Sequence, residues 1–269
     1  MIKPNVLVLT GEGINCDHET KKAFELAGGL AKLVHVNDLA CKNDKLDNYQ
    51  ILAVPGGFSY GDHTGAGKAL ANKIRNHLGE VILDFAQDKG KLVIGICNGF
   101  QVLAKLGLLP ALDGVYGMPQ VALVSNDFPR YKDRWCDIRF EGKSYWTIGI
   151  NKIIPIPIAH GEGKFHASPE VLKQISEKGL VAARYVRGDV CKWLGYEDYN
   201  PNGSLEDIAG ITNEDGRIFG LMPHPERGMY FTQLPHWTWI KEQVKREGGK
   251  IPEYAGGLEI FKNGVRYFE

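Results

Sequence analysis

Short apolar runs alternate with helix-like segments between residues 5 and 106. The runs are rich in β-branched and aliphatic residues, whereas in the segments between them apolar residues recur every three or four positions. Such alternation is typical of a parallel sheet with helices on both faces. The pattern predicts strands at 5–9, 32–36, 50–54 and 91–96 and helices at 18–28, 65–88 and 99–106.

The pattern changes between about residue 118 and residue 160. Strand-like segments follow one another closely there, which predicts an antiparallel excursion from the parallel sheet. Pro155 and Pro157 lack backbone N–H groups, so the last of these strands is expected at a sheet edge or a bulge. The predicted strands are 120–125, 135–140, 144–150 and 153–159.

The remaining residues are predicted to form a helix at 169–178 and strands near 181–186, 207–212 and 217–222. Beyond residue 230, Trp237, Ile240 and Val244 form one helical stripe, for which core packing is the favoured interpretation. Asn263-Gly264 between two apolar triplets is a hairpin signal. We therefore expect an α/β domain over residues 1–230 and an extension over 231–269 that consists of a helix and a hairpin.

Composition restricts the partners and the compartment. The chain has 32 basic and 32 acidic residues, so no charge excess points to a nucleic acid or an anionic membrane. No apolar run reaches membrane-spanning length, and the first residues lead into a strand without a signal-peptide pattern. The five cysteines lack C-x-x-C spacing, which favours a reducing compartment over disulfides or zinc. We expect a cytoplasmic protein without a metal site.

The segment most informative for chemistry is Gly95-Ile96-Cys97-Asn98-Gly99, at the end of the predicted strand 91–96. It has the nucleophile-elbow pattern with cysteine as the nucleophile, and its two glycines allow a sharp turn. The backbone N–H after Cys97 and the positive end of the next helix then face the group that the sulfur attacks. A buried, inert cysteine is the alternative, but the glycine spacing favours the catalytic interpretation.

A cysteine thiol is mostly protonated at neutral pH, so a cysteine nucleophile needs a base and a carboxylate that orients the base. His224 and Glu226 are one residue apart in Pro223-His224-Pro225-Glu226, where both side chains can lie on the same side of an extended turn. Alone, such a loop is more often a surface turn. Together with the elbow, it predicts a triad of Cys97, His224 and Glu226.

A third segment, Pro55-Gly56-Gly57-Phe58-Ser59-Tyr60-Gly61-Asp62, follows the predicted strand 50–54 and is expected at the same sheet edge as Cys97. Attack on an amide creates an oxyanion, which needs two backbone N–H donors. We assign these donors to Gly57 and Asn98. Phosphate binding is the weaker alternative, because the segment lacks the Lys-Ser/Thr of a P-loop.

These motifs resemble those of the class I (triad) glutamine amidotransferases. Further segments resemble the glutaminase subunits of phosphoribosylformylglycinamidine synthases, which serve purine biosynthesis. The chain departs from that pattern at residues 127–131, where a Ser/Gly-rich stretch is expected, and in its longer tail past residue 230. The segments that carry the resemblance are Asn15-Cys16-Asp17, Val34-His35-Val36-Asn37-Asp38-Leu39, Gly56-Gly57-Phe58-Ser59-Tyr60-Gly61-Asp62, Ala159-His160-Gly161-Glu162-Gly163, Asn200-Pro201-Asn202-Gly203-Ser204 and Met222-Pro223-His224-Pro225-Glu226-Arg227.

The resemblance implies a flavodoxin-like α/β fold and a glutamine substrate. Cys97 would form a glutamyl thioester with release of ammonia, and water would then hydrolyse the thioester. Gly56, Gln101 and His160 would bind substrate, although Gln101 also fits a helix surface and His160 a turn held by its own side chain. Cys16 is expected to be structural. No cofactor is implied for this chain, whereas the partner would use ATP and magnesium.

Because the chain has no ATP-binding signature, another polypeptide must use the ammonia. The implied partner is the synthetase subunit, which converts formylglycinamide ribonucleotide to formylglycinamidine ribonucleotide, and a small bridging subunit is a further candidate. One alternative is the glutaminase subunit of another amidotransferase, against which the segments 58–62 and 160–163 argue. The other alternative is a non-catalytic stress sensor of the same broad fold. Such a protein would not require the Pro-His-Pro-Glu loop.

Overall fold

The computed structural model of the protein describes residues 3–269. The strands are β1 (Asn5–Thr10), β2 (Leu30–His35), β3 (Ile51–Val54), β4 (Leu92–Ile96), β5 (Ala122–Val124), β6 (Lys132–Phe140), β7 (Ile154–His160), β8 (Lys164–His166), β9 (Val181–Val186), β10 (Ile208–Thr212) and β11 (Ile218–Leu221). The α-helices are α1 (Asp17–Ala27), α2 (Val36–Ala40), α3 (Lys68–Gln87), α4 (Asn98–Lys105), α5 (Pro169–Glu177), α6 (Asp189–Leu194), α7 (Trp237–Arg246) and α8 (Gly257–Arg266).

A nine-stranded sheet in the order β2-β1-β3-β4-β11-β10-β9-β6-β7 forms the centre of the fold, and β5 pairs separately with β8. The neighbours from β2 to β11 are parallel, and their order begins as in flavodoxin-like folds. The neighbours from β11 to β7 are antiparallel. The predicted α/β fold and its antiparallel excursion are both confirmed.

Helices cover both faces of the parallel half. Successive side chains of a strand point to opposite faces, so each strand there packs against helices on both sides. Val6 of β1 lies against Gly29, next to Val265 of α8. Leu9 of the same strand lies on the other face, among the α3 residues Ile74 and Leu78. Among residues 3–269, no helix is both long and apolar enough to cross a membrane.

The strand that contains Pro155 and Pro157 lies at the edge of the sheet, as its sequence predicts. Pro157 stands opposite Trp135 and Pro155 opposite Asp137 in the ladder between β6 and β7. The carbonyl of Pro157 accepts a hydrogen bond of 2.8 Å from the backbone N–H of His224. The backbone polar groups of these two residues therefore face away from β6, where a missing N–H breaks no ladder bond.

Residues 144–150 do not form the predicted strand; they form turns. Trp146 is fully buried, and its indole Nε1 donates to the carbonyl of Arg217 at 3.0 Å. Ile148, two residues later, is exposed, so the apolar alternation does not mark one face of a strand. The carbonyls of Trp146 and Ile148 accept hydrogen bonds from the side chain of Asn263, which replaces a ladder partner.

The predicted hairpin at Asn263-Gly264 is wrong, because both residues lie within α8. That helix buries Leu258, Phe261 and Val265, which are spaced at helical intervals. Gly264 serves close packing here, since a Cβ atom at this position would lie 2.4 Å from Trp146 Cζ3. A helix does form over the predicted stripe of Trp237, Ile240 and Val244. The core-packing interpretation of the stripe is wrong, because its side chains are only half-buried and no residue of α7 is fully buried.

Gly264→Ala is expected to destabilise the protein by about 1–3 kcal/mol, because the added methyl group overpacks the Trp146 ring. Gly79→Ala is the matched control: Gly79 also lies inside a helix, α3, but a Cβ atom added there would meet nothing within 4 Å beyond its own helix backbone. This control is expected to stabilise the protein by up to about 1 kcal/mol through helix propensity. Urea denaturation of the two variants measures the difference, and equal stabilities would contradict the packing interpretation.

Candidate active site

Cys97 occupies a sharp turn between β4 and α4. Its backbone angles are φ 51° and ψ −106°, a conformation that L residues rarely adopt and that is typical of nucleophile elbows. The flanking glycines are needed because α4 packs closely on the sheet. A Cβ atom at Gly99 would lie 1.8 Å from the carbonyl oxygen of Val54, and one at Gly95 would lie 2.7 Å from the carbonyl carbon of Gly99.

The loops that carry the other candidate residues converge on this turn. Residues 11–16 follow β1, residues 55–62 follow β3, and residues 222–227 follow β11, all at the carboxyl edge of parallel strands. Cys97 itself is tied to this edge, since its backbone N–H donates to the carbonyl of Leu221 at 2.7 Å. Ligand sites of open α/β sheets form at this edge.

His224 and Glu226 form a buried pair. Nδ1 of His224 is 2.6 Å from Oε1 of Glu226, and the two side chains are 2% and 0% exposed. Within residues 3–269, Nε2 of His224 has no hydrogen-bond partner. A carboxylate on Nδ1 fixes the ring tautomer and leaves Nε2 available for proton transfer.

The charges around His224 favour its protonated form. Burial alone would lower the pKa of His224, but the carboxylate of Glu226 and the negative charge of a Cys97 thiolate raise this pKa well above its usual range. In the structure the Cys97 thiol donates to the carbonyl oxygen of Ala159, at the end of β7, over 3.7 Å. An imidazolium that Glu226 holds in place can stabilise a cysteine thiolate beside it, and the thiolate is the reactive form of a cysteine nucleophile.

Gly56 leaves room for the ring of His224, since a Cβ atom at position 56 would lie 2.6 Å from His224 Cε1. The carbonyl of Gly56 accepts long hydrogen bonds from the backbone N–H groups of Asn15 (3.4 Å) and Cys16 (3.3 Å). In a trans peptide the next N–H points in the opposite direction. The Gly57 N–H, predicted as an oxyanion donor, thus points away from residues 15 and 16.

Asn98 begins α4, so its backbone N–H lies in the first turn, where no intrahelical acceptor is available. Its side-chain Oδ1 accepts from Ser59 Oγ at 2.6 Å, and its Nδ2 donates to Gln101 Oε1 at 2.9 Å. Gln101 Nε2 in turn donates to the carbonyl of Glu162 at 2.5 Å. Gln101, predicted to bind substrate, is buried here with both ends of its amide bonded to protein.

His160 lies buried at the end of β7. Burial and the positive charge of His224 lower the pKa of His160 to about 3, so its ring is neutral. Its Nδ1 is 3.2 Å from Asn126 Oδ1, and its Nε2 is 3.5 Å from Asn202 Nδ2. The sequence pattern alone does not assign Asn126 or Asn202 to the site, although the segment 200–204 is among those that carry the family resemblance.

Cys16 is expected from the sequence to be structural, but the structure brings its sulfur next to His224 of the predicted triad. Sγ of Cys16 lies 3.9 Å from His224 Nδ1 and 3.1 Å from Arg227 Nη2. Cys16, His224 and Glu226 together offer sulfur, nitrogen and oxygen atoms within 4.8 Å of one another, a donor set that suits zinc. The guanidinium of Arg227 disfavours a cation at this sulfur, and Nδ1 is already bonded to Glu226. The geometry favours a triad over a metal centre.

Exposed aromatic side chains lie near the same edge. The rings of Phe58 and Tyr131 are 6.0 Å apart, and Tyr60 is also exposed. Partial burial raises the pKa of Tyr131, although about half of its surface is exposed, and the negative charge of a Cys97 thiolate raises it further. Tyr131 belongs to the segment that departs from the expected family pattern, so the sequence gives no signal that places it near Cys97.

Comparisons with known proteins give a consistent result along the chain. The family described as "CobB/CobQ-like glutamine amidotransferase domain" matches residues 3–268. A protein of Methanococcus maripaludis named "Phosphoribosylformylglycinamidine synthase subunit PurQ" is 46% identical, and the match covers 100% of this chain and 99% of that protein. A Dehalococcoides mccartyi protein of the same name is 44% identical, with coverage of 99% and 98%.

Solved structures are also similar. A chain in the structure of PurLQS from Thermotoga maritima matches with a TM-score of 0.68 and 31% identity, and the match covers 100% of both chains. A putative GMP synthase subunit from Thermoplasma acidophilum matches with a TM-score of 0.58 and 15% identity, over 99% of this chain and 94% of that chain. The second similarity concerns the fold alone.

Proposed function

Since the chain belongs to the family of CobB/CobQ-like glutamine amidotransferase domains, we propose that it hydrolyses glutamine and supplies the ammonia to a phosphoribosylformylglycinamidine synthase. The observation that carries this proposal is the buried His224–Glu226 pair beside the strained elbow of Cys97. Relatives of that name over the whole length of the chain support the pathway step.

In the proposed reaction, the Cys97 thiolate attacks the side-chain carbonyl carbon of glutamine and forms a tetrahedral oxyanion. The His224 imidazolium gives its proton to the leaving nitrogen, so ammonia departs and a glutamyl thioester remains. His224 then takes a proton from water, which attacks the thioester and releases glutamate. Glu226 stays ionised and stabilises the imidazolium at each stage.

The backbone N–H groups of Gly57 and Asn98 are the proposed oxyanion donors. The N–H of Asn98 lies in the first turn of α4, where the helix supplies no acceptor, and this position supports its assignment. The Gly57 assignment requires that its peptide be able to rotate. Two features support this: glycines on both sides, and hydrogen bonds of 3.4 and 3.3 Å to the Gly56 carbonyl, which are long and therefore weak.

We propose that Gln101 and His160 shape the substrate pocket by holding the loop 160–163 against α4. The bonds of Gln101 to Asn98 and Glu162 support this role. A synthetase subunit is the proposed partner, with ATP and magnesium bound there, and a second, small subunit is a further proposed component. The similarity to a chain of the Thermotoga maritima PurLQS structure supports such an assembly.

The proposed docking surface lies at the carboxyl edge of the sheet, where the loops 58–62 and 160–163 meet. Exposed aromatic residues, among them Phe58, Tyr60 and Tyr131, supply the kind of surface that protein interfaces bury. Ammonia released there can pass to the partner without reaching bulk water, where it would be protonated and would lose its nucleophilicity.

The isolated chain is expected to be a poor glutaminase. Docking should rotate the Gly56–Gly57 peptide and complete the oxyanion hole, and one such donor is worth about 10²–10³-fold in kcat. The test is steady-state glutamate release by the chain alone, and then with synthetase, ATP and formylglycinamide ribonucleotide added. An increase of about 10²-fold is expected. Full activity of the lone chain, unchanged by the partner, would contradict this coupling and favour a free-standing amidase.

A further inference from the structure

The sulfur of Cys16 lies in a defined set of hydrogen-bonding groups next to the triad. Its thiol donates to Asn15 Oδ1 at 3.2 Å, and Arg227 Nη2 donates to the sulfur at 3.1 Å. Nδ1 of His224 is 3.9 Å away. Cys16 is 1% exposed, and a Cβ atom on Gly56 would lie only 3.2 Å from its sulfur. The site around this sulfur is therefore closely packed.

These contacts fix which side of the thiol faces His224. A thiol has one hydrogen, and at Cys16 this hydrogen is directed to Asn15. The guanidinium of Arg227 can only donate. The sulfur thus presents lone pairs to His224, as the carboxylate of Glu226 does. With acceptors at both Cys16 and Glu226, Nδ1 must carry a proton, which leaves Nε2 as the reacting nitrogen.

We propose that Cys16, held in place by Arg227, is a positioning residue for His224. The inference rests on the proposed glutaminase function of the triad and deepens it. Cys16 fills the space beside the Nδ1–Glu226 bond, so no water can enter there and compete for the Nδ1 proton. It takes no part in bond formation, because its sulfur contacts Nδ1, the ring nitrogen that Glu226 holds, and not the reacting Nε2.

The position of Arg227 explains how the sulfur is kept in place. Arg227 directly follows Glu226 in the chain and also pairs with Glu19 of α1 at 3.5 Å. It therefore connects the triad loop to the segment in front of α1. Burial raises the pKa of Cys16, which keeps it a neutral thiol that does not compete with Glu226 for positive charge.

A pH-dependent readout must consider every charged group that faces His224. Glu226 and Cys97 raise the pKa of His224 by their charge, and Cys16 raises it by hydrogen bonding. His160 and Tyr131, from other elements, are themselves affected by the charge of His224. Arg227 is within contact of Cys16. Glu226, His160 and Tyr131 are kept in every variant of the experiment, so their effects on His224 are the same throughout.

The kinetic test compares Cys16→Ala and Cys16→Ser with a matched control, Cys136→Ala, which removes another buried thiol in β6. All are assayed as glutaminases in the complex with synthetase. Cys16→Ala should lower kcat about 10-fold while KM for glutamine stays within about 2-fold, because a mispositioned base affects the chemical step. Cys16→Ser should recover most of the rate, since a hydroxyl also combines one donor with lone pairs. Cys136→Ala should be indistinguishable from wild type.

The second readout is alkylation of Cys97 by iodoacetamide across pH, followed on the isolated chain by peptide mass spectrometry. Peptide resolution is needed because Cys41 is exposed and will also react. Loss of the Cys16 hydrogen bond weakens the imidazolium, so Cys16→Ala should move the alkylation profile of Cys97 to higher pH by about 0.5–1 unit. A residue with only a structural role would change the stability but would leave this profile in place.

A double-mutant cycle tests the link to Arg227. Arg227→Met and Cys16→Ala should each lower kcat, and the double variant should lose little more than the worse single variant, because both act on one ring. Purely additive losses, or wild-type kcat and alkylation profile in Cys16→Ala, would overturn the inference. A Cys97→Ala protein assayed in parallel separates the cases: if it is inactive while Cys16→Ala is normal, only the positioning role fails.

Discussion

Cys97→Ala is expected to abolish glutamine hydrolysis, with a loss of about 10⁶-fold in kcat, as for removal of other triad nucleophiles. The remaining groups can polarise the amide, but no other atom at the elbow can form the thioester. The measurement is glutamate release by the complex at saturating glutamine. Mass spectrometry of the acid-quenched wild-type complex should also show a glutamyl adduct on the peptide that contains Cys97.

The controls are the remaining thiols away from the triad. Cys41→Ala, Cys136→Ala and Cys191→Ala should keep near-normal turnover, since none of these residues contacts His224 or Glu226 among the bonds of residues 3–269. Near-normal turnover by Cys97→Ala, or an adduct on a different cysteine, would end the amidotransferase interpretation.

Replacement of His224 by alanine is expected to lower kcat by about 10²–10⁴-fold, the range typical of positioned acid–base groups. Glu226→Gln should cost less, because the amide oxygen can still accept the Nδ1 proton and the imidazole remains. Both variants are assayed in the complex, with KM for glutamine determined separately. A wild-type kcat in His224→Ala would exclude it as the base, whereas a Glu226→Gln loss equal to that of His224→Ala would assign Glu226 a larger role than orientation.

The parallel half of the fold is well predicted from sequence because β1, β3 and β4 are compact apolar runs, and β3 and β4 lead into the glycine-containing segments 55–57 and 97–99. The elbow and the spacing of His224 and Glu226 each involve residues that are close in sequence, so they can be recognised from the sequence alone. The fold then brings them together, since parallel strands end at one edge. The loop after β3 lies beside Cys97 for the same reason, since β3 and β4 are parallel neighbours in the sheet.

The errors arise where tertiary packing decides the outcome. Gly264 follows Asn263 as in a hairpin turn, yet the glycine is needed because the Trp146 ring lies against the helix. Trp146 is held by side-chain and carbonyl partners distant in sequence, so the residues around it cannot pair as a strand. The contact of Cys16 with His224 joins residues 208 positions apart, and no periodicity encodes it.

The edge strand β7 has a consequence for the behaviour of the protein at high concentration. An open strand edge can recruit a strand from another molecule, which leads to aggregation. On the outer side of β7, Pro155 and Pro157 offer no N–H groups, and the carbonyl of Pro157 is already bonded to His224. An incoming strand would therefore find no N–H donor at Pro155 or Pro157, and the carbonyl of Pro157 would already be occupied. Pro157, whose carbonyl holds the backbone of His224, therefore also helps to protect the molecule against intermolecular sheet extension.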